Sequence, residues 1–322
     1  PRAGQVLFAS VAESWMAGRA ALRATTRARD QSYLNSLVLP QLGDKPVGSV
    51  QPSDLETWVA DLATDGKAPA TIQKAWQITS GVFRLAVRDR LIALSPARDV
   101  QLPKIQRNEP TAFTVEEVMR LADTIDPRYR ALVLIGAFGG LRIGELAGLQ
   151  LGDFDPQRNL VHVRRTASDV QGQLIVGPPK TTKSTRTVVL PRSISNQLAE
   201  HTAHLAETDS AAWLFPAPEG GPIRRTNWMR RVWKPALEAA GLDPDLGTHT
   251  LRRSQVALLI AQGEHPKVIA DRLGHTSVKT VLDVYGHLYE GADKAAAERL
   301  ELQIGSRPSR SGYQREVQSL GL

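Results

Sequence analysis

No cysteine occurs in the 322 residues of the chain. That absence excludes a disulfide frame, a thiolate metal site and a cysteine nucleophile, and it fits a reducing cytoplasm. No apolar run reaches the roughly twenty residues that a membrane-spanning helix needs. No secretory signal opens the chain, and no internal repeat or low-complexity block interrupts it. The chain begins at Pro1 instead of methionine, as a piece trimmed from a longer protein would. What is present is length enough for two ordinary domains and a surplus of cations: Lys plus Arg is 40 and Asp plus Glu is 33, a net charge of +7. A surplus of that size favours a polyanionic partner mildly, since many basic proteins bind nothing acidic.

The densest chemistry lies in residues 247–289, which contain H-T-L-R, L-G-H and L-D-V-Y-G-H-L. His249 and Arg252 are three apart and share a face on a helix. The run Val256, Leu258, Leu259 and Ile260 drives that helix into a core, Gly263 closes it, and Pro266 opens the next. The second helix ends at Leu273-Gly274, which sets His275 on a turn. A third amphipathic segment from Ser277 carries Tyr285. A guanidinium forks onto phosphate oxygens, an imidazole shuttles protons near neutral pH, and a phenol can form a covalent intermediate. Each residue alone is more often structural than catalytic. Three separated elements that all fit phosphoryl transfer through a tyrosyl phosphate point to it together.

The first hundred residues read as four helices. One spans 6–16, with Val6, Phe8, Val11 and Trp15 apolar, and a second carries Tyr33, Leu34, Leu37 and Val38 and stops at Pro40 and Gly43. A capping box of Ser53 and Glu56 opens the third, which Asp65-Gly66 ends, and the fourth spans 69–90. Residues 94–110, with three prolines and no helical period, read as a linker. Beyond it, Thr114 caps a helix and Asp126-Pro127 opens another that Gly139-Gly140 breaks. Arg142 and Glu145 then sit three apart on a new turn, a spacing that a surface ion pair worth a few tenths of a kcal/mol also explains. Strands are expected at 160–165, 174–176 and 187–190. The last two flank a basic hairpin, G-P-P-K-T-T-K-S-T-R, in which Lys183 and Arg186 read as cations blunting an edge loop. Helices follow at 193–205 and 224–240, the latter carrying Arg224, Arg225, Arg230 and Arg231, and A-A-A-E-R-L-E-L forms a C-terminal helix.

H-T-L-R, L-G-H and L-D-V-Y-G-H-L resemble the C-terminal signature of the tyrosine recombinases, the phage integrase family, and G-L-R-I-G-E-L resembles its first arginine motif, in the expected order. The resemblance covers nearly the whole chain and implies a mainly α fold with a small antiparallel β-sheet. Residues 1–95 would be a four-helix, SAM-like core-binding domain on DNA and 96–110 a linker that lets two domains close around a duplex. Residues 111–290 would be an α+β catalytic domain and 291–322 a tail helix that docks on a neighbouring protomer or packs in cis. By resemblance Arg142, Arg252 and His275 hold the phosphate, Glu145 supports Arg142, His249 is the base and Tyr285 the nucleophile. Lys180 matches the family's general acid, with Lys183 as competitor. The implied reaction is site-specific recombination through a 3′-phosphotyrosyl enzyme and a Holliday junction, with no cofactor and no metal. The implied partners are double-stranded DNA, a homotetramer, a host architectural DNA-bending protein and a directionality factor, in a bacterial cytoplasm at the nucleoid and with no membrane. A type IB topoisomerase-like relaxing enzyme and an inactive DNA-binding relative are the other readings. A phage integrase is preferred to a chromosome-dimer resolvase, and an arm-binding domain before Pro1 stays open.

Overall fold

The computed structural model describes residues 3–105, 111–179, 182–275, 277–289 and 292–305. The chain divides into two compact units, Pro1–Asn108 with Ser168–Ile175, and Glu109–Ala167 with Val176–Leu322. Among the described residues, no helix is long and apolar enough to cross a membrane.

The first unit is helical. It contains α1 (Phe8–Ala17), α2 (Ala24–Tyr33), α3 (Leu39–Leu42), α4 (Pro52–Thr64) and α5 (Pro69–Arg88). A π-helical turn, Leu34–Val38, joins α2 to α3, so these two make one helical rod and the unit is the expected four-helix arrangement. Pro40 does not stop that rod. It sits in the first turn of α3, where a missing N–H costs nothing, and the widened turn before it relieves the clash of its ring with the preceding backbone. The capping box of α4 also differs from expectation. Pro52 takes the first helical position, so Gln51 is the cap and its N–H donates to the Asp54 carboxylate at 2.8 Å, in place of a Ser53–Glu56 pair.

Phe8, Val11, Leu55, Trp58, Ile78, Val82 and Phe83 fill the core of this unit, with Phe8 and Phe83 edge to face at 5.1 Å. Ala97, Val100 and Leu102 pack against the same core, and Gln73 donates to the Pro103 carbonyl at 2.9 Å. The forward part of the proline-rich stretch is therefore pinned to the helices, while residues 106–110 lie outside the described residues. Buried Asp30 gathers Arg19 at 2.8 Å, Arg29 at 3.2 Å and Lys74 at 3.3 Å.

The second unit is built around α7 (Arg130–Phe138), whose Ala131–Ala137 run is buried on every side and packs against α6 (Val115–Thr124). Thr114 and Glu117 form the expected capping box of α6. A short α8 (Ile143–Leu146) follows. In chain order there follow β1 (Phe154–Asp155), β2 (Leu160–Val163), β3 (Thr166–Val170), β4 (Gln173–Gly177) and β5 (Arg186–Val189), of which the Ser168–Ile175 part of β3 and β4 belongs to the first unit. The remaining helices are α9 (Arg192–Ala203), α10 (Arg225–Trp228), α11 (Lys234–Ala239), α12 (His249–Ala261), α13 (Pro266–Leu273), α14 (Lys279–Tyr285) and α15 (Ala292–Gly305). Helices α9 and α12 cover α7, and the Phe113 N–H donates to Ser254 Oγ of α12 at 2.8 Å.

The strands pair differently from expectation. β1, β2 and β5 form one antiparallel sheet with Val161 opposite Val188, and β3 and β4 form a separate two-stranded ribbon. The strand expected at 160–165 is β2, two residues shorter, and the strand at 166–170 was not expected. The ribbon turns at Gln171-Gly172, both in the left-handed region (φ 52° and 80°), the geometry of a tight two-residue hairpin. The basic segment after β4 is thus a crossover between two sheets and not a hairpin. β3 was hidden because Ala167, Ser168 and Asp169 at its centre do not favour a strand.

Asp30 generates the first prediction. Burial alone would raise its pKa, but Lys74, Arg29 and Arg19 outweigh burial and hold it below the ordinary value. Its contribution to stability is present above the unfolded carboxylate value and lost as pH falls through the folded one. Asp30→Ala is expected to lower stability by about 1–3 kcal/mol at pH 7 and to shrink the difference between pH 7 and pH 3. Urea unfolding at the two pH values checks this, and an unchanged midpoint would count against it.

Candidate active site

Three backbone breaks shape the site. The first follows α7, where Gly140 has φ +67° and a Cβ built on it would lie 1.8 Å from Gln255 Oε1. A larger residue there would be strained and would have to displace the Gln255 side chain. The break lets Arg142 begin α8 as its cap: the Arg142 N–H donates to Glu145 Oε2 at 2.9 Å and its guanidinium to Glu145 Oε1 at 2.8 Å. The second break is the start of α12, which carries His249 at its first position and Arg252 one turn on. The third is Gly274, left-handed at φ +66°, which ends α13 and turns the chain into His275.

Arg252 joins these pieces. It is 2% exposed, and its two terminal nitrogens donate to the carbonyls of Gly140 and Leu273, each at 2.6 Å. Those carbonyls belong to the loop before Arg142 and the turn before His275. Gln255, one turn further along α12, donates to the Phe138 carbonyl at 2.7 Å. Burial pushes the Arg252 guanidinium down to about 9, helped by Arg142 and Arg186 and opposed by Glu145 and Tyr285, so it stays charged at neutral pH.

The two imidazoles feel the same positive field. Burial first, then Arg252, Arg253 and Arg142, depress His249 to about 4. Burial, then Arg252, Arg142 and Arg186, depress His275 to about 4. Both are therefore neutral at pH 7. His275 Nδ1 is buried with no hydrogen-bond partner among the described residues. Tyr285 is the last residue of α14, 6% exposed, and packs on Val256, Ile260, Ile269 and Leu273. Burial raises its pKa against the pull of Arg253 and Arg252. Tyr289 lies in the following turn, and its hydroxyl points to the Glu264 carbonyl at 3.5 Å.

Arg142, Glu145, His249, Arg252, His275 and Tyr285 thus come together from four separated segments. Lys180 lies outside the described residues. Lys183 is described, on an exposed turn. Arg186 corrects the sequence reading. Instead of blunting an edge it is buried against Glu145, which it meets at 3.0 Å. Burial would raise the pKa of Glu145, yet Arg186 and Arg142 hold it below the usual carboxylate range. Arg253, which acts on both His249 and Tyr285, was likewise not singled out; its signal was its place beside Arg252 in H-T-L-R-R. Among the described residues, no three His, Asp or Glu side chains gather so as to hold a metal ion. Four guanidiniums, one carboxylate, two neutral imidazoles and a phenol can bind a phosphodiester and move protons around it.

Comparison with known proteins finds relatives along nearly the whole chain. The phage integrase family profile matches residues 111–291, and the phage integrase central domain matches residues 8–102. An integrase of Mycobacterium phage D29 is 28% identical over 302 residues, covering 92% of this chain and 78% of that protein. Among solved structures, the Tn1549 transposon integrase in complex with transposon right end DNA superposes with a TM-score of 0.79 at 20% identity, over 92% of this chain and all of that one (100%). The lambda integrase tetramer bound to a Holliday junction gives 0.66 at 17% identity, over 86% and 77% of the two chains.

The depressed imidazoles carry a pH prediction. With folded values of about 4 against 6.5 unfolded, the unfolded chain binds protons in that window that the native chain refuses. Stability of the DNA-free protein is therefore full above about 6.5 and falls as pH drops toward 4. Thermal unfolding across that window should show the loss, and a His249→Gln, His275→Gln double variant should flatten it. A wild-type midpoint independent of pH between 6.5 and 4 would contradict the assignment.

Proposed function

This chain belongs to the phage integrase family of DNA-recombining enzymes, and from that premise we propose that it exchanges strands between specific DNA sites through a covalent bond to Tyr285. What carries the reading is the single cluster centred on Arg252, which lies within electrostatic range of Arg142, His249, His275 and Tyr285 although these groups span residues 142–285.

In this reading Tyr285 Oη attacks the scissile phosphorus in line. The bond to the 5′-oxygen breaks, leaving a 3′-phosphotyrosyl enzyme and a free 5′-hydroxyl. Arg142, Arg252 and His275 hold the non-bridging oxygens, where charge redistributes in the transition state, and Glu145 keeps Arg142 aimed. His249 accepts the phenolic proton. Its low pKa in the free protein comes in part from nearby guanidiniums, and a bound phosphate offsets that field and restores its basicity. Lys180 donates the proton that the leaving 5′-oxygen takes up, with Lys183 its competitor. The 5′-hydroxyl of a second duplex then attacks the phosphotyrosine. One pair of exchanges forms a Holliday junction and the second resolves it. Each broken phosphodiester is stored in the tyrosyl ester, so no ATP is consumed and no metal is required.

The helical first unit would supply phosphate contacts that give affinity without sequence information. Exposed Arg225, Arg230 and Arg231 are the candidates for base edges. On the tail helix α15, Leu300 and Ile304, four apart on one face, are 58% and 65% exposed, a surface suited to a neighbouring protomer in a tetramer. The residue boundaries 1–95, 96–110, 111–290 and 291–322 are the proposed division of labour. A DNA-bending host protein, a directionality factor and a place at the bacterial nucleoid complete the proposal.

Covalent capture tests it. DNA recovered from denatured protein in host cells should share one sequence, and purified protein should cleave a nicked duplex of that sequence in EDTA. Arg142→Ala and Arg252→Ala should lose about 10²–10³-fold in cleavage, far more than either loses in DNA binding, and Arg252→Ala should also unfold at a lower temperature because it strips the Gly140 and Leu273 carbonyls of their partner. Relaxation of any supercoiled plasmid without exchange would favour the topoisomerase reading, and no adduct on any DNA would favour an inactive relative. For the acid, a bridging 5′-sulfur leaves without protonation, so Lys180→Ala should regain most of its lost rate on that substrate. Rescue of Lys183→Ala instead would exchange the two roles.

A further inference from the structure

Arg186 opens β5 with its side chain only 6% exposed, and its guanidinium donates in three directions. Nη2 meets Glu145 Oε2 at 3.0 Å, Nε meets the Arg272 carbonyl at 2.8 Å and Nη1 meets the Ser184 carbonyl at 3.2 Å. The acceptors belong to three different segments. Glu145 grips Arg142 through both its N–H and its guanidinium. Arg272 stands three residues before His275, and Ser184 closes the turn that holds Lys183. A second observation is independent of the side-chain bonds. A Cβ on Gly274 would come within 2.9 Å of the Lys183 carbonyl, 3.1 Å of Arg186 Cδ and 3.3 Å of Ser184 Cα. The turn that presents His275 is therefore seated on the backbone of 183–186.

We propose that Arg186 is a positioning residue for strand cleavage: it fixes Arg142, through Glu145, against the Gly274–His275 turn, so that both sides of the phosphate pocket keep one geometry. The proposal rests on the reading of the site as a phosphodiester-cleaving centre. A buried ion pair adds little net stability over well-packed apolar residues, so the value of this one lies in direction. Direction is what the planar fork provides. A lysine has the charge but no rigid fork to hold three acceptors in one plane. The ordering matters because small misplacements of groups around a reacting phosphate are costly to rate and nearly invisible to binding.

The test compares wild type with Arg186→Lys, Arg142→Ala and the double variant on a duplex of the captured target sequence. A second duplex carries a methylphosphonate at the scissile position, which removes the charge from one non-bridging oxygen. Arg186→Lys should keep the wild-type thermal midpoint and DNA affinity and cleave the phosphate duplex about 10–100-fold more slowly. Added to Arg142→Ala it should cost less than about threefold more, since the two act in series. Its deficit should shrink on the methylphosphonate, where less charge needs an aimed guanidinium. A purely structural role would leave that deficit equal on the two substrates, and such equality, or losses that multiply in the double variant, overturns the proposal. If Arg186→Lys unfolds, Glu145→Gln with Arg186→Met removes both buried charges together; a folded pair that cleaves at the wild-type rate overturns it as well. Wild-type protein that forms no adduct sinks the recombinase reading and this proposal together. Wild-type cleavage matched by Arg186→Lys sinks the proposal alone.

Discussion

A buried guanidinium held by two peptide carbonyls is the constraint on which the second unit depends. Arg252 is spent on the Gly140 and Leu273 carbonyls and not on a carboxylate, so its position is fixed while its charge stays unneutralised. Burying a cation this way is expensive unless strong hydrogen bonds hold it, and two charge-assisted bonds at 2.6 Å do so. The consequences spread outward. Gly140 must take a left-handed conformation and lack a Cβ, α12 must enter the core against α7, and α13 must end where its last carbonyl faces α12.

The same uncompensated charge sets the protonation of everything near it. Burial first, and then the surplus of Arg142, Arg186, Arg252 and Arg253 over the nearby carboxylate Glu145, drive both imidazoles to the neutral form. Tyr285 is pulled both ways, its phenol raised by burial and lowered by the arginines. A site charged in this fashion attracts an anion. The family to which the chain belongs supplies one in the DNA backbone, and a phosphodiester there would relieve the repulsion among the arginines while strengthening the base beside them.

Much of this was legible in the sequence because the relevant geometry is local. The three-residue spacings of Arg142–Glu145 and His249–Arg252, the glycine before His275 and the helix that carries Tyr285 are all properties of one or two helical turns. Arg186 was not legible, since its acceptors Glu145 and Arg272 lie 41 and 86 residues away and nothing in T-R-T-V-V-L announces them. Strand pairing failed for the same reason: β4 is followed by β5 in sequence but pairs with β3, and only tertiary packing decides that. Pro40 misled because proline breaks a helix interior yet is accepted in a first turn, and the π-helical turn that creates one has no clear signature.

The account turns on which phenol is placed to react. Tyr285 and Tyr289 are four residues apart, but one feels Arg252 and Arg253 while the other faces the Glu264 carbonyl outside that field. Digestion of the covalent protein–DNA complex, followed by mass spectrometry of the peptide left on the DNA, measures this directly. The account predicts a nucleotide on Tyr285. A nucleotide on Tyr289, on Tyr313 or on a side chain other than tyrosine would contradict it.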